Sequence, residues 1–281
     1  MTDAVGRVTR RTSAGDGVLW WIGWSLAQEP QAGPASWTLD LPAVVVEAVE
    51  VAGRPRWRVR LAADPARARS YEVQLTATPA AGDGVAVVVR AEVGWGDGAW
   101  AVQPETAWSP GGVPALQAAL ADAAGRVPEA RVAPAPGGGW SLGWVAPTDD
   151  EVVTQVALTL WEGLRGLTLA LPDGAVGPGT TWTARRALAL PWGGTLQESL
   201  GYEVVGRDGR AVQVRVTRRA AVDGEHGYQE ELAGSLWLDT RWWLPTAARL
   251  EGTVTTPGPD DAPQVDRLSV TVASVEVARA R

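Results

Sequence analysis

The sequence predicts a mainly β fold: a curved antiparallel sheet or half-barrel built from hairpins, with two central α-helices packed against it. Three observations carry that expectation. Apolar residues alternate with polar ones along most of the chain, the pattern of strands covered on one face. Turn-forming residues separate those runs, drawn from 33 Gly and 20 Pro in 281 residues. The hydrophobic period lengthens to that of a helix in two places, both near the middle.

In chain order, Val18, Trp20, Ile22, Trp24 and Leu26 form the first alternating run. Trp57, Val59 and Leu61 alternate with Arg56, Arg58 and Arg60, and Tyr71, Val73 and Leu75 with Glu72, Gln74 and Thr76. Val85, Val87, Val89, Ala91, Val93 and Trp95 continue the theme. In the C-terminal half Val212, Val214 and Val216 repeat it, as do Leu268, Val270 and Val272. Gly82-Asp83-Gly84, Gly96-Asp97-Gly98, Arg207-Asp208-Gly209 and Asp223-Gly224 supply residues that tolerate the left-handed backbone of tight hairpins. Short turns between alternating strands predict a meander.

The first helical stretch is Val113 to Arg126, with Leu116, Ala119, Leu120 and Ala123 on one face and Gly125 suited to its end. The second begins at Thr148-Asp149-Asp150-Glu151, which reads as a capping box with Thr148 at the N-cap and Glu151 reaching back. Val153, Val156, Ala157, Leu160 and Leu164 then form an apolar stripe. A Pro/Gly-rich connector, Arg131 to Gly139, separates the two helices. Residues 1–281 read as a single β-rich domain. The alternative is a β half at 1–110, a helical middle at 111–168 and a second β half at 169–281.

Composition excludes much chemistry. Cys is absent, which removes disulfides, thiol nucleophiles and Cys-ligated metals. A single His, His226, rules out a multi-His metal site within one chain. Phe, Lys and Asn are also missing while Ala, Gly, Arg and Pro abound, the mark of a GC-rich bacterial genome. The 16 Trp then stand in for Phe as bulky core formers. A net charge of −7 without a basic stripe disfavours nucleic acid and anionic membranes. No run of apolar residues is long enough for a membrane span. The first residues, Met1-Thr2-Asp3-Ala4-Val5, carry no apolar signal region. That reads as cytoplasmic, or as a cell-envelope protein whose signal peptide has been removed.

The candidates for chemistry have bland readings beside them. His226 lies in Asp223-Gly224-Glu225-His226-Gly227, a hairpin tip where a solvated side chain is the ordinary outcome. Adjacent acids such as Glu230-Glu231 point to opposite faces of a strand and do not form a glycosidase pair. Asp149, Asp150 and Glu151 are explained by helix capping. The glycine clusters at Gly111-Gly112, Gly137-Gly138-Gly139 and Gly177-Pro178-Gly179 precede no Lys-Ser/Thr, so no phosphate loop is present. Trp remains. Trp20, Trp21, Trp24, Trp242 and Trp243 place indoles on both sheet faces, and Trp140 and Trp144 suit the mouth between sheet and helices.

The phrase Ala170-Leu171-Pro172-Asp173-Gly174-Ala175-Val176-Gly177-Pro178-Gly179-Thr180-Thr181-Trp182 resembles one found in uncharacterised β-rich bacterial cell-envelope proteins. Tyr202 to Gly209, Gly234 to Asp239 and Leu244 to Leu250 look similar to later phrases of that family. The resemblance covers about residues 150–280, with an echo at Gly94 to Trp108. It implies a curved antiparallel sheet like the half-barrels of lipoprotein carriers and no assigned activity. This chain departs from the family in lacking a lipid-anchor Cys.

The expected function is that of a non-enzymatic binding or scaffold protein. Its ligand-binding residues would be Trp20, Trp24, Trp140 and Trp144, lining an apolar groove between sheet and helices for a lipid or other hydrophobic small molecule. No catalytic residue, metal ligand or cofactor is expected. Two alternatives stay open: a Trp-mediated carbohydrate-binding module, and a hydrolase using carboxylates from separate strands.

Overall fold

The structure is a computed structural model that describes residues 36–275, apart from 42–43, 60–68, 81, 97–98, 135–139, 148–149, 190–193, 223–226, 240–243 and 258–261. The run at Val18–Leu26, His226 and Trp242-Trp243 lie outside the described residues. Among those described, one antiparallel sheet contains every strand. In chain order the strands are β1 (Ser36–Leu41), β2 (Val45–Glu50), β3 (Arg69–Thr78), β4 (Val85–Gly96) and β5 (Ala99–Trp108). Helix α1 (Pro114–Ala124), β6 (Ala130–Pro134), β7 (Trp140–Pro147) and helix α2 (Glu151–Leu167) follow. Then come β8 (Thr181–Ala189), β9 (Thr195–Asp208), β10 (Ala211–Val222), β11 (Gln229–Asp239), β12 (Pro245–Pro257) and β13 (Pro263–Val275).

The fold is the mainly β sheet with two helices that the alternation predicts. The spatial order is β1-β7-β6-β5-β4-β3-β13-β12-β11-β10-β9-β8-β2. Two meanders, β3 to β7 and β8 to β13, join where β13 pairs with β3 through Val272↔Val73. The sheet is therefore continuous across both halves of the chain.

Curvature follows from connectivity. A flat sheet of 13 strands would span roughly 58 Å at about 4.8 Å per neighbour. Yet β1 and β2, at opposite ends of the order, are joined by residues 42–44 alone. At about 3.8 Å per residue that link reaches no more than about 15 Å. The sheet must curl until its ends approach, and β1 comes within 8 Å of β8. No hydrogen-bonded pairing between described strands closes it into a barrel. Gly234 and Gly252 help the bend. A Cβ there would lie 1.8 Å from Arg249 O and 1.9 Å from Glu231 O, so β11 and β12 approach as no larger residue allows.

Three local expectations are corrected. Trp57 and Val59 do not start a strand, and Leu61 lies outside the described residues; Trp57 makes an isolated bridge to Val176 and its ring lies under the Arg207 guanidinium. The Pro/Gly-rich connector is partly strand, since Ala130–Pro134 is β6, paired with β5 and β7. The N-cap of α2 is Asp150 rather than Thr148. Its Oδ1 accepts from Val152 N at 3.0 Å and Val153 N at 3.1 Å, and these bonds, chiefly that from Val153, hold the carboxyl below its ordinary range. Asp150 also receives Arg126 at 2.6 Å, tying the end of α1 to the start of α2.

Helix α1 buries Leu120, Ala123 and Ala124 and ends at Gly125, as its stripe predicts. Helix α2 behaves differently. Its apolar stripe is buried, but so are Gln155, Thr159, Glu162 and Arg165 on the opposite side. A Cβ on Gly163 would sit 2.3 Å from Val73 Cγ1, so the helix backbone lies directly on the sheet. The helix fills the concavity as a plug, and its polar side meets strands instead of water.

Candidate functional site

Four neighbouring strands each carry one charged residue in the phase of their apolar residues. On β8, Arg186 shares its face with Trp182, Ala184 and Leu188; on β9, Glu198 shares its face with Leu196 and Leu200. On β10, Arg218 follows Val212, Val214 and Val216, and on β11 Glu230 precedes Leu232. Period two sends all four to the concave side. Register then aligns them. Arg186 stands opposite Glu198, Glu198 opposite Ala220, and Ala220 opposite Glu230. The small Ala220 leaves room between the two carboxylates for groups from above.

Helix α2 supplies those groups. Glu162 and Arg165, one turn apart, project from its polar side. Arg165 Nε donates to Glu198 Oε1 at 2.9 Å, and its Nη1 donates to Glu162 Oε1 at 2.7 Å and Glu230 Oε2 at 3.0 Å. Arg218 Nε donates to Glu230 Oε1 at 2.6 Å and its Nη2 to Glu162 Oε2 at 2.8 Å. Arg186 Nε donates to Glu198 Oε2, and its Nη1 to Thr168 Oγ1 at 2.9 Å. The Tyr228 hydroxyl donates to Glu230 Oε2 at 2.8 Å. Every one of these charged side chains is at most 5% exposed.

The electrostatics decide what this cluster can do. Burial alone would raise the carboxyl of Glu198. The guanidiniums of Arg165, Arg186 and Arg218 outweigh it and hold Glu198 at about 2. For Glu230, burial again acts upward, and Arg165 and Arg218 prevail, so it too is lowered. Burial and then the Glu230 charge push the Tyr228 phenol well above its ordinary value. Two carboxylates from separate strands do meet here, as the hydrolase alternative requires. Both are kept ionised and saturated by arginines, whereas a general acid must hold a proton near neutral pH.

Two of the four Trp candidates fall among the described residues. Trp20 and Trp24 lie outside the described residues. Trp140 and Trp144 are on β7, at Pro134↔Trp140 and Leu39↔Trp144. One row of that register reads Trp95↔Trp100, Trp100↔Val132, Val132↔Leu142 and Leu142↔Leu41 across β4, β5, β6, β7 and β1. Trp140 and Trp144 occupy the positions two residues to either side of Leu142. Trp100 is fully buried in the core, while Trp95, at the β4–β5 hairpin, is 36% exposed. Their rings meet edge to face at 5.0 Å. Trp95 and Trp100 form an aromatic pair outside the candidate set of Trp20, Trp24, Trp140 and Trp144. The alternation Val85 to Trp95 and the Gly96-Asp97-Gly98 turn were the available signal.

The convex face has a different character. Cross-strand ion pairs line it, Arg219–Glu231 at 2.7 Å and Arg185–Glu47 at 3.2 Å among them. Two shallow grooves open there, one beside Gly201, Glu203 and Arg215, the other beside Gly252, Thr253 and Arg267. Neither is walled by a row of indoles. Among the described residues no group of His, Asp and Glu has a metal-holding arrangement, and no helix is long and apolar enough to cross a membrane. No known protein family and no curated protein matches the chain.

Proposed function

We propose that the protein is a non-enzymatic binding protein for a hydrophobic small molecule, a single-chain lipid, taken at the Trp95 edge of the concave face. The observation that carries this is Trp95. A large indole stands 36% exposed at the edge of an otherwise buried apolar face, edge-on to the fully buried Trp100. An exposed aromatic continuous with an apolar interior is an anchor for a ligand that is itself apolar. The geometry also limits where such a ligand fits. Beneath α2 the contact between Gly163 and Val73 leaves no room. This reading seats the ligand at the β4–β5 end of the face, beside Trp95. A scaffold role or a sugar-binding role lacks an equivalent feature, since the convex face is laced with ion pairs and has no row of exposed indoles among the described residues.

Titration with a long-chain fatty acid tests the reading. Saturable quenching or blue-shift of Trp emission is expected, and soluble polysaccharide should give none. Trp95→Ala should weaken the fatty acid by at least about tenfold, equivalent to about 1.4 kcal/mol, while the far-ultraviolet circular dichroism stays unchanged. A folded protein that binds no apolar probe, or a Trp95→Ala variant with full affinity, would overturn it.

A further inference from the structure

The buried ion cluster has more donors than acceptors, although its charges balance. Arg165, Arg186 and Arg218 face Glu162, Glu198 and Glu230, so the formal sum is zero. Every carboxylate oxygen already accepts at least one hydrogen bond. Yet one terminal nitrogen of each guanidinium, Arg165 Nη2, Arg186 Nη2 and Arg218 Nη1, is buried with no partner. The Tyr202 hydroxyl shares that condition. The three guanidiniums are neighbours. Arg165 and Arg186 donate to Glu198, and Arg218 Nε lies 3.8 Å from Glu198 Oε1. Tyr202 sits on the same face of β9, four residues beyond Glu198. The Arg186 and Arg218 charges act on its phenol, which burial drives upward.

Buried guanidinium N–H groups are costly to leave unpaired. Their missing partner must accept hydrogen bonds. It must also be neutral, because an anion would add an uncompensated charge to a balanced interior. We propose that the cluster is a binding site for enclosed water. Water oxygens accept from Arg186 Nη2 and Arg218 Nη1 and hydrogen-bond with the Tyr202 hydroxyl, making solvent part of the joint between α2 and β8–β11. Internal waters ordinarily make about three such bonds, and this site offers donors and an acceptor together.

Two measurements on the intact chain test the site. High-resolution crystals, with and without sodium bromide, should show water oxygens within hydrogen-bond distance of Arg186 Nη2 and Arg218 Nη1. They should show no anomalous bromine peak there. A bromine peak would make the site an anion site, and arginines found fully paired to carboxylates without intervening density would abolish it. In solution, oxygen-17 relaxation dispersion counts long-lived internal waters. Tyr202→Phe, which keeps the ring stacked on Trp182 at 5.0 Å, should lower that count by at least one. Arg186→Met should do the same if it folds. An unchanged count in Tyr202→Phe would overturn the proposal.

Discussion

Replacing Arg165 by Met should be among the most damaging single changes in this protein. The Met side chain keeps most of the aliphatic stem, so packing against Trp161, whose ring lies 5.2 Å from the guanidinium carbon, is largely preserved. What is lost is the cation held by Glu162, Glu198 and Glu230 together. Two arginines would then face three carboxylates, leaving one buried negative charge without compensation. Breaking a buried ion network by removing one partner costs about 3–5 kcal/mol. Against a total of about 5–15 kcal/mol, that is about a fifth of the stability or more. The fall in Tm should be on the order of 10 °C.

The pH dependence separates this mechanism from simple loss of packing. In the wild type, Glu198 at about 2 lies below its unfolded value, so it contributes stability that is present above about pH 4.5 and lost as pH falls toward 2. In Arg165→Met one carboxylate becomes easier to protonate when folded than when unfolded. Its penalty is absent below about pH 4.5, the unfolded value, and grows as pH rises above it. The gap between variant and wild type should therefore be widest at pH 7 and narrow toward pH 4. Urea unfolding followed by Trp emission at both values reads it. Glu162→Leu added to Arg165→Met restores the charge balance and should recover part of the loss. A loss under about 1 kcal/mol at pH 7, or one independent of pH, would refute a buried, mutually neutralised cluster.

Other outcomes follow from the same packing. Acidification of the wild type from about pH 4.5 to 2 should remove about 3 kcal/mol through Glu198 alone, measured as the shift in the urea midpoint. Asp150→Ala should lower stability by about 1 kcal/mol in a thermal melt, because Val152 N and Val153 N lose their cap. Gly163→Ala gains about 1 kcal/mol of helix propensity but drives a methyl into Val73, at a cost of about 1–3 kcal/mol. Adding Val73→Ala should rescue part of that loss; a stabilised Gly163→Ala single variant would contradict the close seating of α2.

The sheet was legible because a strand covered on one side writes its burial into every second residue. Val85 to Val93 and Val212 to Val216 could be placed from that signal alone, and Asp208-Gly209 marked the turn between β9 and β10. Two features were not written locally. Thr148 and Asp150 both precede α2 and both can cap a helix. Which one does depends on where the backbone turns helical, and the contact with Arg126, 24 residues earlier, is invisible to a local reading. The short β6 and β7 pair in the middle of a Pro/Gly-rich stretch, where the edge of β5 provides partners that propensity does not supply.

The ion cluster escaped for a more instructive reason. A helix with Val153, Val156, Ala157, Leu160 and Leu164 on one side and Gln155, Thr159, Glu162 and Arg165 on the other reads as amphipathic, half buried and half wet. That inference assumes that water lies opposite the apolar stripe. In a sheet curled enough for β1 to approach β8, the helix has protein on every side, and its polar stripe needs polar partners. Those partners were visible in the strands as Arg186, Glu198, Arg218 and Glu230, each out of place among inward apolar residues. Any one of them reads as a strand end or a twin of its exposed neighbour, Arg185, Arg219 or Glu231. Only the registers Arg186↔Glu198 and Ala220↔Glu230 turn four separate irregularities into one row. A charge in the apolar phase on successive strands of a meander therefore signals a buried polar layer. The polar side of the neighbouring helix is then the place to look for its counter-charges.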